Sequence, residues 1–168
     1  MKITLTVILI ALFTCLGSAQ TASVEREFER ERPRLSLDRF SIGEDATSGF
    51  YYFVYKRRSR IRKIRSVWNG GCCQPPRIED YYFKDGKPVL YVKLSVEKER
   101  LDALLKGRNI ALHQDEKLYL RNRRLTTWIE NGKTVSTSNP GWKDKERFVL
   151  EQVKDLLETY RSYREEKS

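Results

Sequence analysis

The chain has little of what catalytic sites are usually built from. Its 168 residues include one histidine, one methionine and three cysteines. Cys15 sits in the N-terminal apolar run, and Cys72 and Cys73 are neighbours. Adjacent cysteines close only a tight, strained ring, so this is no disulfide scaffold. They remain either free thiols, a vicinal disulfide or a bridge between two chains, and outside the cell thiols tend to oxidise. Without Cys-x-x-Cys or Cys/His spacing a zinc site is not expected, and neither is a cofactor. A hydrolytic triad would need His113 as its base, but no Gly-x-Ser-x-Gly accompanies it. Phosphate-cradling glycine loops and dinucleotide fingerprints are also missing. Asp144, Glu146, Glu151, Asp155 and Glu158 fall at spacings that capping and i,i+4 pairing explain. A paired-carboxylate glycosidase would be assembled in space, and nothing in the sequence points to one. The chain therefore reads as a non-enzyme.

Long apolar runs are equally scarce. One extends over 3–16, after Met1-Lys2 and before Gly17-Ser18-Ala19. A charged start, a short apolar core and small residues at the −3 and −1 positions describe a secretory signal peptide over 1–19, cut after Ala19. The run is shorter than the roughly 20 residues that cross a bilayer. A lipoprotein would use Cys15, but Thr14 stands where the preceding small residue belongs. The expected product is secreted or periplasmic, with no transmembrane segment in the mature chain.

What is present is charge and aromatic side chains. Lys and Arg number 33 against 23 Asp and Glu, a formal net charge of +10. Such an excess favours anionic partners and says nothing about fold. Residues 20–47 are polar, with the mixed-charge run Glu-Arg-Glu-Phe-Glu-Arg-Glu-Arg-Pro-Arg at 25–34, and read as a flexible charged arm. A single domain over 48–168 follows. Phe50-Tyr51-Tyr52-Phe53-Val54-Tyr55 is an aromatic, β-branched strand. Its return strand, 61–68, breaks strict alternation, since Ile61 and Ile64 are three apart, which predicts a bulge near Lys63. Tyr81-Tyr82-Phe83-Lys84-Asp85-Gly86-Lys87-Pro88-Val89-Leu90 reads as a hairpin turning at Asp-Gly, which tolerates the positive φ of a type I′ turn. Asn122-Arg123 and Asn131-Gly132 mark further turns. A short helix is expected over 96–106, with Ser95 as cap and Gly107 at its end. Near the C-terminus, Asn139-Pro140 opens a second helix. Trp142, Val149, Val153, Leu156, Tyr160 and Tyr163 then recur at steps of seven, four, three, four and three, one apolar face that needs a sheet to cover. The fold class follows: α+β, an antiparallel meander of about six strands with a C-terminal amphipathic helix packed on one face.

Three hairpins, over 53–64, 81–92 and 118–129, share a form: aromatic strand, polar turn, basic residue, apolar strand. Together with Leu118-Tyr119-Leu120-Arg121-Asn122, the Leu125-to-Ile129 strand and Asn139-Pro140-Gly141-Trp142-Lys143-Asp144-Lys145-Glu146, they carry a resemblance. Over 50–163 the chain resembles a group of small secreted bacterial proteins of unknown function, with repeated Tyr-Tyr-Phe-x-Asp/Asn-Gly-Lys hairpins and a C-terminal helix. That resemblance implies an exported meander plus helix and brings no activity or site residues. The chain departs from the pattern in Cys72-Cys73, in Arg123 where a turn glycine is usual, and in an insert over 97–114.

The most suggestive constellation is Lys56, Arg57, Arg58, Arg60, Arg62, Lys63 and Arg65 in one hairpin, flanked by Tyr51, Tyr55 and Trp68. Arginine forks pair with phosphates or sulfates, and exposed rings stack on sugars or bases. A solvated or aggregation-resistant sheet face would use the same cations. The expectation is an exported, non-catalytic binding protein. Its ligand would be an anionic polysaccharide, lipopolysaccharide or another envelope protein; intracellular nucleic acid is not expected. The site would be Arg57, Arg58, Arg60, Arg62, Lys63 and Arg65 with Tyr55 and Trp68, and Cys72 and Cys73 would serve as a disulfide or thiols. The alternatives are a secreted partner or inhibitor module, and a divergent hydrolase. A lysozyme-type inhibitor would be acidic, which counts against that subclass.

Overall fold

The computed structural model describes residues 23–45, 48–70, 74–108 and 110–167. The expected signal peptide over 1–19, Cys15, Cys72 and Cys73 lie outside the described residues. The chain divides into two units, Met1–Arg34 and Leu35–Ser168. In the first, residues 23–31 form a helix (α1) that ends in the 3-10 turn Arg32–Arg34. In the second, β1 (Ser36–Asp45), β2 (Ser48–Arg57), β3 (Arg60–Trp68), β4 (Arg77–Lys84) and β5 (Lys87–Ser95) precede α2 (Lys98–Leu105). Then follow β6 (His113–Arg121), β7 (Arg124–Glu130), β8 (Lys133–Thr134) and α3 (Trp142–Glu166).

Strand order follows chain order and every neighbouring pair is antiparallel, so the fold is an α+β meander with a C-terminal helix. It has eight strands among the described residues, not about six. The added strands are β1 and β8. β1 reads as arm because neither of its faces is uniformly apolar: Leu37, Arg39 and Ser41 share one, Asp38, Phe40 and Ile42 the other. Pairing along β2, from Ser36↔Lys56 to Ile42↔Phe50, makes it a strand. The arm expected over 20–47 is thus replaced by a helix and a strand among its described residues. β8 has only two residues, too few for a pattern.

The turns follow local chemistry. Asp85, Gly86, Asn122, Arg123, Asn131 and Gly132 all have positive φ, as type I′ turns require. Both helices start later than their cap signals suggest. Ser95 is the last residue of β5 and its hydroxyl binds Asp115, so α2 begins after Glu97. Asn139 Oδ1 accepts the Gly141 N–H at 2.8 Å, and α3 begins at Trp142.

Both faces of the sheet are apolar and each has its own cover. On one, Val149, Val153, Leu156 and Tyr160 of α3 pack on Val54, Ile64, Tyr81, Tyr91, Leu118 and Trp128. On the other, Leu101 and Leu104 of α2 pack on Phe53, Val67 and Ile78. Among the described residues no helix is long and apolar enough to cross a membrane.

Arg123 occupies a left-handed conformation, φ +63°, at an exposed turn. An L-residue there is strained by about 1–2 kcal/mol. Arg123→Gly should therefore raise the unfolding free energy by about 1 kcal/mol, read as a higher urea midpoint at unchanged m-value. Arg121→Gly, two residues earlier in β6, should lower it. A fall for Arg123→Gly would contradict the turn geometry.

Candidate anion-binding site

In a meander, alternate connections fall at the same end of the sheet. The β2–β3, β4–β5 and β6–β7 turns therefore share one end, with neighbouring tips about 10 Å apart. The three hairpins repeat in detail. Each is closed by two cations directly opposite one another: Arg57↔Arg60, Lys84↔Lys87 and Arg121↔Arg124. In each, the second residue past the closing pair (Arg62, Val89, Thr126) is left out of register as a bulge. Like charges opposite one another destabilise a hairpin. The β7–β8 hairpin, at the other end, closes with the complementary pair Glu130↔Lys133.

The three tips carry eight exposed cations, Arg57, Arg58, Arg60, Lys84, Lys87, Arg121, Arg123 and Arg124, against one carboxylate, Asp85. Asp85 lies 3.8 Å from Arg60, linking the first tip to the second across solvent. Such an exposed pair contributes about 0–1 kcal/mol. Arg124 lies 3.1 Å from Glu146 of α3, whose other oxygen accepts the Leu125 N–H at 2.6 Å. That carboxylate fastens the third hairpin to the helix.

The expected basic hairpin divides into surface and interior. Arg57, Arg58 and Arg60 are exposed, and Arg62 is the half-buried bulge residue. Lys63 and Arg65, both counted in the expected site, are turned away from solvent. The residues flanking the bulge turn them onto the α2 face, where they meet Asp80 of β4. Lys63 Nζ lies 2.7 Å from Asp80 Oδ2 and 3.0 Å from the Tyr82 hydroxyl. Arg65 binds both Asp80 oxygens, at 2.6 and 2.7 Å. Burial would raise the Asp80 pKa, but Lys63 and Arg65 outweigh it and hold the carboxyl down to about 2. Burial lowers the Arg65 pKa, and Asp80 more than reverses that. Lys56 is also spent, 2.6 Å from Asp38, which accepts the Tyr160 hydroxyl of α3 as well.

The aromatic residues are not on the basic end as a group. Tyr55 is half-buried against the α2-side core. Trp68 is the far end of β3, about 26 Å along the strand from Arg60. There it joins an array: Tyr163 on Phe40 (centroids 4.3 Å), Phe40 on Tyr52 (4.8 Å) and Phe50 by Trp68 (6.5 Å), each pair stacked. Lys167 lies over Tyr163 and Arg77 over Trp68. The rings stack on one another, and Phe50 among them is exposed.

Several other polar groups have structural partners. Glu79 accepts from Tyr81 at 2.8 Å and Tyr91 at 3.3 Å. Burial, then Glu79, pushes both phenols' pKa values up, so they stay donors. Glu116 lies 2.8 Å from Lys145. His113 is exposed and 3.7 Å from Asp115, which also accepts from Ser95. Both contacts fall on the same oxygen, Asp115 Oδ1, and Ser95 lies opposite His113 in the β5–β6 register. Among the described residues no group of three imidazole, thiol or carboxylate side chains gathers as a metal would need.

The sequence reading missed Lys84, Lys87, Arg121, Arg123 and Arg124. Their signal was present in the hairpin repeat, where the basic residue after each turn read as scaffold. Comparisons with protein-family models, curated proteins and solved structures find no match to this chain.

The buried ion cluster has a pH signature. The folded-state pKa of Asp80 lies below its ordinary 3.8. Its contribution is thus complete above that value and lost as pH falls towards about 2. Acid titration of stability should show a loss of about 2 kcal/mol in that window from this group. Asp80→Asn should flatten the loss and destabilise at neutral pH by about 3–5 kcal/mol, because two cations lose their partner. An unchanged acid profile in the variant would refute the assignment.

Proposed function

We propose that the protein is an exported, non-catalytic binding protein that holds a polyanion along the three basic hairpin tips. The observation that carries the reading is the triplicate closing pair of cations, Arg57↔Arg60, Lys84↔Lys87 and Arg121↔Arg124. A turn needs no such pair, and like charges directly opposite one another repel. An anion bridging both members would offset that repulsion and satisfy arginine forks with phosphate, sulfate or carboxylate oxygens. Tips about 10 Å apart suit a chain of repeated charges better than one small ion. An anionic polysaccharide or lipopolysaccharide of the cell envelope has that chemistry.

Retention on heparin should be salt-sensitive and should weaken when Arg58, Arg60 and Arg123 are replaced together by Ala. The slope of log affinity against log salt should fall by roughly one for each contacting cation removed. Arg77→Ala with Lys133→Ala, at the other end of the sheet, should change it little. Equal losses from both sets would mean diffuse charge attraction and no site at the tips.

A further inference from the structure

A cleft of about 350 Å³ lies between α3 and the second and third hairpin tips. Leu150, Val153 and Leu157 of α3, at steps of three and four, form its floor with Pro88. Lys87 and Arg123 from the hairpins face Lys154 and Arg161 from the helix around the rim. Glu158 is the one carboxylate in the lining, 4.0 Å from Lys154. The lining therefore combines an aliphatic floor with four cations against one anion.

The two halves of that lining select a ligand class. No aromatic residue lines the cleft, so a sugar ring has no face to stack on there. Branched aliphatic side chains favour a hydrocarbon chain, which gains by leaving water. The volume is near the lower end of the roughly 300–1,000 Å³ of small-molecule sites, room for one chain and not for a polymer segment. Arg123 and Arg161 carry planar forks suited to a phosphate.

We propose that this cleft binds an anionic amphiphile, its single hydrocarbon chain on Leu150, Val153, Leu157 and Pro88 and its phosphate between Arg123 and Arg161. The inference rests on the anion-binding reading of the tips, since Lys87 and Arg123 belong to both, and adds the apolar moiety. The envelope ligand is then recognised by a phosphate-bearing acyl portion as well as by repeated charge.

Calorimetric titration with decyl phosphate below its critical micelle concentration tests it, beside inorganic phosphate and the neutral decyl glucoside. Decyl phosphate should bind at least about tenfold more tightly than either, because head and chain contribute together. Arg161→Glu, on the exposed side of α3, should weaken decyl phosphate about tenfold or more. Leu157→Asp should leave decyl phosphate no better than inorganic phosphate while heparin retention persists. Circular dichroism of both variants checks the fold, and Arg161→Glu decides should Leu157→Asp unfold. Decyl phosphate binding no more tightly than inorganic phosphate or decyl glucoside overturns the inference. If heparin retention still depends on the tip arginines, only the amphiphile falls; if it does not, the polyanion reading falls with it. Adsorption to phosphatidylglycerol vesicles without binding of monomeric decyl phosphate also overturns it, in favour of a lipid surface.

Discussion

The apolar stripe of α3 laid across the strands is the contact on which the rest of the second unit depends. Trp142 meets Trp128 of β7 at one end, and Tyr160 reaches Asp38 of β1 at the other. Six strand spacings separate β1 from β7, about 29 Å, and the helix rises about 27 Å from Trp142 to Tyr160. A shorter helix would leave β1 without a partner on that face, and β1 has too little apolar surface to hold itself. Tyr163 on Phe40 and Tyr160 with Lys56 on Asp38 complete that attachment with side chains from three elements. Because the helix covers the middle of the face, the two ends of the strands differ. One keeps the stacked aromatic array, the other the basic tips and the aliphatic cleft.

The same hairpin shows why charge count alone misjudges a surface. Of its cations, Lys63 and Arg65 tie β3 to β4 through Asp80, and Lys56 ties β2 to β1 through Asp38. Those ion pairs lie between strands, and their removal would act on folding before it acted on any ligand. Nearer the turns, Arg60 meets Asp85 across solvent and Arg124 meets Glu146 of α3, contacts made at the surface of the sheet's end. Repeating the tip cations on the next two hairpins enlarges the basic surface without adding to the core.

The legible parts of the fold were those set by local chemistry. Asp85-Gly86 and Asn122-Arg123 announce their turns because few residues tolerate positive φ, and the broken alternation at Ile61 and Ile64 announces the bulge at Arg62. The apolar stripe of α3 is a period that survives in one sequence. β1 was not legible, because its strand character comes from β2 and α3. Nor was the burial of Lys63 and Arg65, which depends on Asp80, fifteen residues beyond Arg65 and in another strand. The candidate site was half legible: the basic hairpin stood out by density, and its two counterparts did not because each carries fewer cations in a row.

The tips set two costs side by side. Arg58 and Arg123 hold left-handed backbone, φ +56° and +63°, where glycine or asparagine would be easier. The closing pairs set cation against cation three times over. Turn formation explains neither, since Asp85-Gly86 turns the second hairpin without a strained arginine. Protection of an exposed end against aggregation would explain charge but not its placement in direct opposition, which Glu130↔Lys133 avoids at the other end. An anion held between the two strands of a hairpin would offset the repulsion of its closing pair, while the backbone strain at Arg58 and Arg123 would remain. Under the proposed polyanion binding the direct opposition of the cations has a use that solvation does not give it.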